Sequence, residues 1–333
     1  MDLSIITPVY NTKFEYLNEY YNSIVKNCSK ISYEIVMVDD GSTLEETCEW
    51  LKNHETSPSV KIIRFQNNCG ISKARNTAID AAEGDYILTV DSDDYLSSES
   101  ICTIVKTAKK HNIDICFAPY TVKKDNFFEE VPIKINGKIT YYQLERIPTG
   151  ARIIKRAIIN KYHIRYPLGK LCEDPCFNFC CMLHARQFDV ADDGYMTIRS
   201  HADSTCHRKS VFHAMRYDQI PFEYIQNNLC IDMNGNIDSK LKEVHYGEVA
   251  HFLAAICCVF SSKSVVTEKC KIDKEAVRLY REYIENPVII SFKYLIHHKG
   301  LIVTRLMQFG FALSIKLHLE SSYIQIWRRI IKE

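Results

Sequence analysis

The chain has 333 residues, of which 46% are hydrophobic and 25% are charged, a composition typical of soluble globular proteins. Its 42 Lys and Arg residues nearly balance 41 Asp and Glu residues, so the formal net charge is only +1. This balance excludes the strongly basic surface of most nucleic-acid-binding proteins, and we expect no nucleic-acid partner.

The start of the sequence and its cysteines both favour a cytoplasmic protein. The first eight residues lack the basic segment and apolar run of a signal peptide. The 14 cysteines are scattered among apolar residues, which is typical of a reducing compartment. Four of them cluster without a C-x-x-C pair, and helix packing is favoured over zinc for this group: Cys172, Cys176, Cys180 and Cys181.

Apolar, β-rich runs alternate with amphipathic segments over the first hundred residues. The predicted strands cover residues 3–6, 34–38, 60–65 and 86–90. Predicted helices follow the first three strands, with Ser42 or Thr43 capping the second helix and Ser72 the third. This alternation predicts a doubly wound, mostly parallel α/β sheet.

Polar residues follow three of these strands. Pro8, Tyr10 and Asn11 follow the first strand, Asp39 and Asp40 the second. The fourth strand is followed by three acids, Asp91, Asp93 and Asp94. Ligands of open α/β sheets bind beyond the carboxyl ends of strands, and carboxylates suit Mg²⁺ or Mn²⁺. An acidic turn by itself is also typical of a solvated turn or a helix cap, but the convergence favours a ligand crevice.

Arg75 breaks a local rule, because a cation near the start of a predicted helix opposes the helix dipole. Such a misfit indicates a ligand or a charged partner. Further along, Glu173 and Asp174 begin an apolar helix, where dipole stabilisation is an alternative to a functional role. His201 follows a predicted strand at 196–199 in a polar loop, where a surface histidine is the alternative.

The remaining segments are less informative. A helix is predicted at 101–110 and an apolar run at 113–120, while residues 121–149 show no clear pattern. A basic segment from Arg152 to Lys161 has helical character, and residues 212–229 and 246–260 look helical.

Five sequence blocks, in order and at similar spacing, resemble the family 2 glycosyltransferases, which are inverting enzymes with a GT-A fold. The blocks are Thr7-Pro8-Val9-Tyr10-Asn11, Val38-Asp39-Asp40-Gly41-Ser42, Gly70-Ile71-Ser72-Lys73-Ala74-Arg75-Asn76, Gly84-Asp85-Tyr86 and Asp91-Ser92-Asp93-Asp94. The resemblance is strong over residues 1–120 and weaker through 165–174 and 199–201.

The resemblance implies a set of site residues. Pro8, Tyr10, Asn11 and Asp39 or Asp40 would surround the nucleotide base, with Arg75 near the nucleotide. Ribose and a divalent metal, Mn²⁺ or Mg²⁺, would be held by Asp91, Ser92, Asp93 and Asp94. His201 is a candidate metal ligand or diphosphate contact. The Glu-Asp pair would supply the catalytic base, because metal and nucleotide would occupy Asp91, Asp93 and Asp94. Within the pair we favour Asp174, and Glu173 is the alternative base or a supporting contact.

One departure concerns the acceptor loop, where this chain has Thr149-Gly150-Ala151-Arg152 in place of the family's hydrophobic or aromatic residue with Asn-Lys. Acceptor contacts therefore do not carry over.

The resemblance implies a metal-dependent transfer from a nucleotide sugar to a hydroxyl of a glycan or lipid-linked acceptor, with UDP favoured because it is the commonest donor type of the family. The alternatives are a non-catalytic carbohydrate-binding protein and a sugar nucleotidyltransferase, although the latter requires a Gly- and Arg-rich first loop. A dehydrogenase would need a Gly-x-Gly-x-x-Gly turn after the first strand, and Thr7–Asn11 contains no glycine.

We expect a catalytic domain at residues 1–209 and a helical C-terminal region at 210–333. Within that region an apolar stripe has helical spacing: Ile302, Leu306, Phe309, Leu313 and Leu317. Arg305, Gln308 and Lys316 flank it, and Trp327, Arg328 and Arg329 lie near the end of the chain. Such a helix suits peripheral contact with an anionic membrane at its cytoplasmic face, and packing on the catalytic domain is the alternative.

Overall fold

The computed structural model describes residues 1–124, 127–133, 147–170, 173–200, 223, 253, 266–283 and 302–332. The chain divides into two compact units. The first contains Met1–Asn136, Ile147–Gly169 and Glu173–Ala202, and the second contains Gly137–Arg146, Lys170–Cys172 and Asp203–Glu333. The predicted domain boundary at residue 209 and His201 both lie outside the described residues.

The first unit contains eleven described strands. They are β1 Leu3–Val9, β2 Tyr33–Asp39, β3 Val60–Arg64, β4 Tyr86–Thr89, β5 Tyr95–Leu96, β6 Ile115–Phe117, β7 Tyr120–Lys124, β8 Phe127–Val131, β9 Arg152–Lys155, β10 Phe188–Val190 and β11 Met196–Ser200. Seven form one sheet in the order β10-β6-β9-β4-β1-β2-β3. Every pair in it is parallel except those of β9 with β4 and β6. The predicted mostly parallel α/β sheet is confirmed.

Six described helices and one short 3₁₀ turn accompany the sheet. They are α1 Phe14–Asn27, α2 Glu45–His54, α3 Ile71–Ala81, α4 Ser100–Lys110, the 3₁₀ turn Thr149–Ala151, α5 Arg156–Lys161 and α6 Glu173–His184. All seven residues of β1 are buried, as expected for a central strand covered on both faces. Leu17, Tyr20 and Ile24 of α1 and Trp50 of α2 belong to the same hydrophobic core as β1.

A second sheet, in the order β5-β11-β7-β8, lies beyond the acidic end of β4. Its strand β11 pairs with β5, which directly follows the acids at residues 91–94. The pairing therefore carries Arg199 to the acidic loop. The sequence showed no pattern at β7 and β8 because four residues of β8, Phe127–Glu130, are exposed and no apolar alternation is needed there.

The basic segment after Thr149 differs from the helix predicted there. Residues 152–155 form strand β9 between β4 and β6, and a helix begins only at Arg156. The central position buries Ile153 and Ile154, and Arg152 is buried with them. The Arg152 guanidinium donates to the Ile147 carbonyl and lies 5.2 Å from the centre of the Phe117 ring.

The helix caps also differ from the prediction. Neither Ser42 nor Thr43 caps α2. Instead, the Asn11 side-chain oxygen accepts the backbone N–H groups of Thr43 and Leu44, each at 2.8 Å. Ser72 lies inside α3, which begins after Gly70 with a φ of 91°. Asn11, in the loop after β1, thus holds the segment that leads into α2.

The second unit has three described helices: α7 Val266–Tyr283, α8 Ile302–Lys316 and α9 Glu320–Lys332. Of the other two predicted helices only residues 223 and 253 are described, and both are helical. Leu306 and Leu313 of the predicted stripe are exposed on α8, and Leu317 is exposed just after it. Gln308, predicted on the polar flank, is buried instead, because α8 turns the face with Met307 and Phe311 inward. No helix among the described residues is long and apolar enough to cross a membrane.

Candidate active site

The acidic loop after β4 is held from several sides. The Asp94 N–H donates to the Asp91 carbonyl at 3.0 Å, which closes a tight turn. Ser92 Oγ lies 2.7 Å from Thr12 Oγ1, in the loop after β1. Asp94 Oδ1 accepts the backbone N–H of Arg199 at 2.8 Å. These contacts fix the backbone that carries the three acids.

Asp39 and Asp40, at the end of β2, have different roles, which could not be told apart from the sequence. Both carboxylate oxygens of Asp40 accept backbone N–H groups, from Cys69 at 2.6 Å and Gly70 at 2.9 Å. Asp40 therefore holds the loop that leads into α3. Asp39 accepts the Ser42 N–H through Oδ1 at 2.9 Å. Within the described part of the chain, Asp39 thus keeps more carboxylate capacity for a nucleotide base than Asp40 does.

Position 41, directly after these acids, must be glycine because of its backbone angle and its close neighbours. Its φ is 75°, and a Cβ there would lie 2.5 Å from the Asn67 carbonyl carbon. At this position the backbones of the loops after β2 and β3 approach so closely that only glycine fits. Tyr10, directly after neighbouring β1, is 51% exposed and so presents an accessible ring at this edge of the sheet.

Arg75 joins acids from two distant parts of the chain. Its side chain is only 2% exposed. Nη2 donates to Asp91 Oδ1 at 2.9 Å, whereas Nη1 donates to Asp174 Oδ1 at 2.6 Å and lies 3.4 Å from Glu173 Oε1. The sequence predicted a ligand or a charged partner for Arg75. The partners are Asp91 of the acidic loop and the pair Glu173 and Asp174 at the start of α6.

Burial and charge set the protonation of this cluster. Burial raises the pKa of Asp174, and Arg75 opposes the rise. Burial and the neighbouring Asp174 charge raise the pKa of Glu173. Burial by itself would lower the pKa of Arg75, but the carboxylates of Asp174 and Asp91 raise it well above its ordinary value. The guanidinium therefore stays charged, while Glu173 and Asp174 are stronger bases than exposed carboxylates.

The loop before α6 is clamped by Asn76, the neighbour of Arg75. Its side-chain amide donates to the Tyr166 carbonyl at 2.8 Å and accepts the Tyr166 N–H at 2.7 Å. The Tyr166 ring stacks on Phe177 of α6 at 4.0 Å. One turn of α3 thus positions both the Glu-Asp pair and the segment that leads to it. An asparagine within a predicted helix was the available signal for this contact.

The acidic loop has the donor chemistry of a divalent-metal site completed by a ligand. Burial raises the pKa of Asp94 well above its usual range, and the charges of Asp93 and Asp91 raise it further. A bound cation would relieve that repulsion. Mg²⁺ commonly uses one or two carboxylates together with substrate phosphates, and Asp91 and Asp93 could supply these. Among the described residues, no three His, Cys, Asp or Glu side chains form a metal cage on their own.

The buried cysteines Cys176, Cys180 and Cys181 lie on α6 and pack in the interior. Cys172 lies outside the described residues.

The family model described as "Glycosyl transferase family 2" matches residues 4–170, half of the chain. The chain belongs to this family of glycosyltransferases. The match covers β1 to β9, the acidic loop and Arg75, and it ends just before Glu173 and Asp174.

Several curated relatives add to this assignment. The poly(ribitol-phosphate) β-N-acetylglucosaminyltransferase TarS of Staphylococcus aureus is 30% identical over 204 residues, which are 58% of this chain and 34% of TarS. A poly(ribitol-phosphate) β-glucosyltransferase of Bacillus spizizenii is 32% identical over 206 residues, which are 58% of this chain and 31% of that protein. The chain thus aligns with about a third of the length of these relatives.

Solved structures share the fold. A crystal structure of S. aureus TarS 1-349 in complex with UDP-GlcNAc aligns with a TM-score of 0.73 and 20% identity, covering 99% of this chain and 92% of that one. A mannosyltransferase of Pyrobaculum calidifontis in complex with GDP-Man and Mn²⁺ aligns with a TM-score of 0.51 and 13% identity, covering 99% and 86%. At these identities the likeness establishes the GT-A fold expected from the sequence.

Proposed function

We propose that this family 2 member is an inverting glycosyltransferase that moves a sugar from a UDP-sugar to a polymer hydroxyl. The observation that carries the proposal is the Arg75 bridge. It holds Asp91, on the loop expected to face the donor diphosphate, and Asp174, the expected catalytic base, on one guanidinium. A single displacement needs the base and the leaving diphosphate on opposite faces of the reacting carbon, so a residue that ties the base to the diphosphate loop would fix their spacing.

The donor would bind along the carboxyl edge of β1, β2 and β4. The Tyr10 ring and the remaining Asp39 oxygen are suited to a nucleotide base, with Pro8 and Asn11 shaping the loop beside them. Asp91, Ser92 and Asp93 would face ribose and diphosphate. A divalent metal, Mn²⁺ or Mg²⁺, would be held through Asp93 and Asp91 and would neutralise the charge growing on the departing diphosphate. Asp94 is buried and supports the loop, and His201 remains a candidate third ligand.

Asp174 would act as the base. The acceptor hydroxyl attacks the anomeric carbon and gives its proton to the Asp174 carboxylate as the new C–O bond forms. The bond from that carbon to the diphosphate oxygen breaks, and its electron pair leaves with UDP. The raised pKa of Asp174 makes it a better proton acceptor than an exposed aspartate, while Arg75 fixes its orientation.

The names of the relatives guide the choice of acceptor. Two of them are transferases that act on poly(ribitol-phosphate). For this chain we propose the hydroxyls of a teichoic-acid-type or related surface glycan polymer, free or lipid-linked. Binding of a nucleotide sugar without turnover is the alternative that the experiment below separates.

A thermal-shift panel of nucleotide sugars with Mn²⁺, followed by UDP release with polymer acceptors, tests the proposal. A donor at about 100 times its dissociation constant adds about 2.7 kcal/mol to the free energy of unfolding. We expect UDP-sugars to stabilise the protein and UDP release to depend on acceptor. Stabilisation without any acceptor-dependent release would indicate a binding protein. The absence of stabilisation by every nucleotide sugar would overturn the donor assignment.

We further propose that the protein works at the cytoplasmic face of a membrane. Leu306 and Leu313 are exposed along α8, and Leu317, Leu319 and Ile326 are exposed beyond it. An exposed apolar stripe with nearby cations suits a peripheral contact with anionic lipid.

A further inference from the structure

Arg199 reaches the acidic loop from strand β11 and contacts it in two ways. Its guanidinium Nη1 donates to the Asp93 carbonyl, and its backbone N–H donates to Asp94 Oδ1 at 2.8 Å. Asp93 is the residue on which the proposed metal site depends most. Arg199 therefore holds the acidic loop both at the Asp93 backbone and at the neighbouring Asp94 side chain.

The guanidinium of Arg199 is itself held firmly. Its side chain is only 7% exposed, and Nη2 donates to Glu19 Oε2 on α1. Its central carbon lies 4.7 Å from the centre of the Tyr16 ring and 4.8 Å from that of Tyr95. Planar Arg can satisfy a carbonyl, a carboxylate and aromatic rings at once, which Lys cannot. Residues of α1 and β5 therefore hold the guanidinium of Arg199, on β11, in the position where it donates to the Asp93 carbonyl.

The charge pairing argues against a direct role in diphosphate binding. Glu19 neutralises the guanidinium, and both Nη atoms already donate to protein oxygens. Its charge is thus paired with a carboxylate, and two of its five N–H groups are committed to the protein. Its geometry suits the support of a ligand-bearing loop, a role known to control the affinity of metal sites.

From this geometry we infer that Arg199 is a positioning residue, which anchors the Asp93 backbone so that the Asp91–Asp94 loop is preorganised for a divalent cation and diphosphate. The inference rests on the proposed metal site and adds the residue that holds it in place. It predicts that replacing Arg199 lowers the affinity for Mn²⁺ while the protein still folds.

The test measures Mn²⁺ affinity, alone and with UDP, by titration calorimetry on the full chain. We expect Arg199→Met to weaken Mn²⁺ binding in the presence of UDP about 10-fold or more, and Arg199→Lys to recover part of that loss. Arg156→Gln is the matched control. Arg156 donates to the Glu83 and Gly84 carbonyls at the opposite end of β4, so its loss should lower the melting temperature and leave Mn²⁺ affinity unchanged.

A second variant keeps the test decisive if Arg199→Met does not fold. Glu19→Ala removes only the exposed anchor of the guanidinium and should weaken Mn²⁺ binding about 3-fold. The inference is overturned if folded Arg199→Met, or Glu19→Ala in its place, binds Mn²⁺ with UDP within about twofold of wild type. If wild type itself bound no Mn²⁺, the proposed metal site and the role of Arg199 would fall together. Unchanged affinity in the variants would remove only the latter.

Discussion

Arg75 Nη1 lies 2.6 Å from Asp174 Oδ1, although the two residues are 99 positions apart in the chain. The second Nη atom of the same guanidinium lies 2.9 Å from Asp91 Oδ1. Because Arg75 is buried on α3, it sets the spacing between the acidic loop after β4 and the acids that begin α6. A change at Arg75 would leave these acids without their cation, so we expect it to lower stability as well as transfer.

Replacing Asp174 by Asn tests the base. The change keeps the shape of the side chain and removes its basicity, so we expect turnover to fall about 10²-fold to 10⁴-fold with donor affinity nearly intact. Steady-state UDP release and donor titration would measure the two effects. Glu173→Gln is the matched variant and should lose far less activity. A nearly normal Asp174→Asn enzyme beside an inactive Glu173→Gln enzyme would transfer the role to Glu173, and normal activity in both would rule out this mechanism.

The pH dependence of turnover should report the raised pKa of Asp174. A protonated carboxyl cannot accept the acceptor proton, so kcat should fall as pH decreases through that pKa. The acidic limb should lie above the pKa of about 3.9 that is usual for an exposed aspartate. Arg75→Lys pairs less well with the carboxylate and should move the limb to still higher pH. The idea would fail if the limb of wild type lay at about pH 4 or lower.

Loss of the Asn76 clamp should loosen the segment that leads to the base. Asn76→Ala leaves the buried N–H and carbonyl of Tyr166 without these partners, and we expect the free energy of unfolding to fall by about 1–3 kcal/mol. Turnover should fall about 10-fold or more at unchanged donor affinity, because the base is displaced. Asn18→Ala, which removes a 2.7 Å hydrogen bond to Trp50 away from the site, is the control. Equal kcat losses in both variants would show that the effect is only one of stability.

Metal removal should abolish transfer if the acidic loop holds a cation. We expect exhaustive chelation to stop UDP release and added Mn²⁺ to restore it. Asp93→Ala should weaken donor binding in Mn²⁺ about 10-fold or more. Asp80→Ala removes an exposed acid that pairs with Arg165 and should change neither quantity. Full turnover in the presence of a chelator would be incompatible with the proposed site.

Membrane contact can be tested by co-sedimentation with anionic phospholipid vesicles at low salt. The full chain should sediment with the vesicles, and a triple Leu306→Ser, Leu313→Ser, Leu317→Ser variant should stay in the supernatant. Leu44→Ser, at an exposed apolar position of the first unit, should behave as wild type. If wild type did not bind the vesicles, the proposed membrane contact would be wrong.

The parallel sheet and the position of the crevice could be predicted from the amino-acid sequence. Buried parallel strands such as β2 appear as continuous apolar runs with turn residues after them, although β1 continues through Pro8 to Val9, beyond its predicted end at residue 6. This pattern is sufficient to assign Asp39, Asp40, Asp91, Asp93 and Asp94 to the carboxyl ends of strands. The family resemblance added the expected nucleotide and metal roles, which periodicity does not contain.

The pairing of distant side chains depends on tertiary packing and could not be predicted in this way. The contact of Arg75 with Asp174, the Asn76 clamp on Tyr166 and the hold of Arg199 on Asp93 join positions 90 to 106 residues apart. Local propensity and periodicity extend over a few turns of chain and carry no information about such pairs. Strand β9 shows the same limit. Its short basic segment has a helical pattern, and only central pairing between β4 and β6 overrides that local preference.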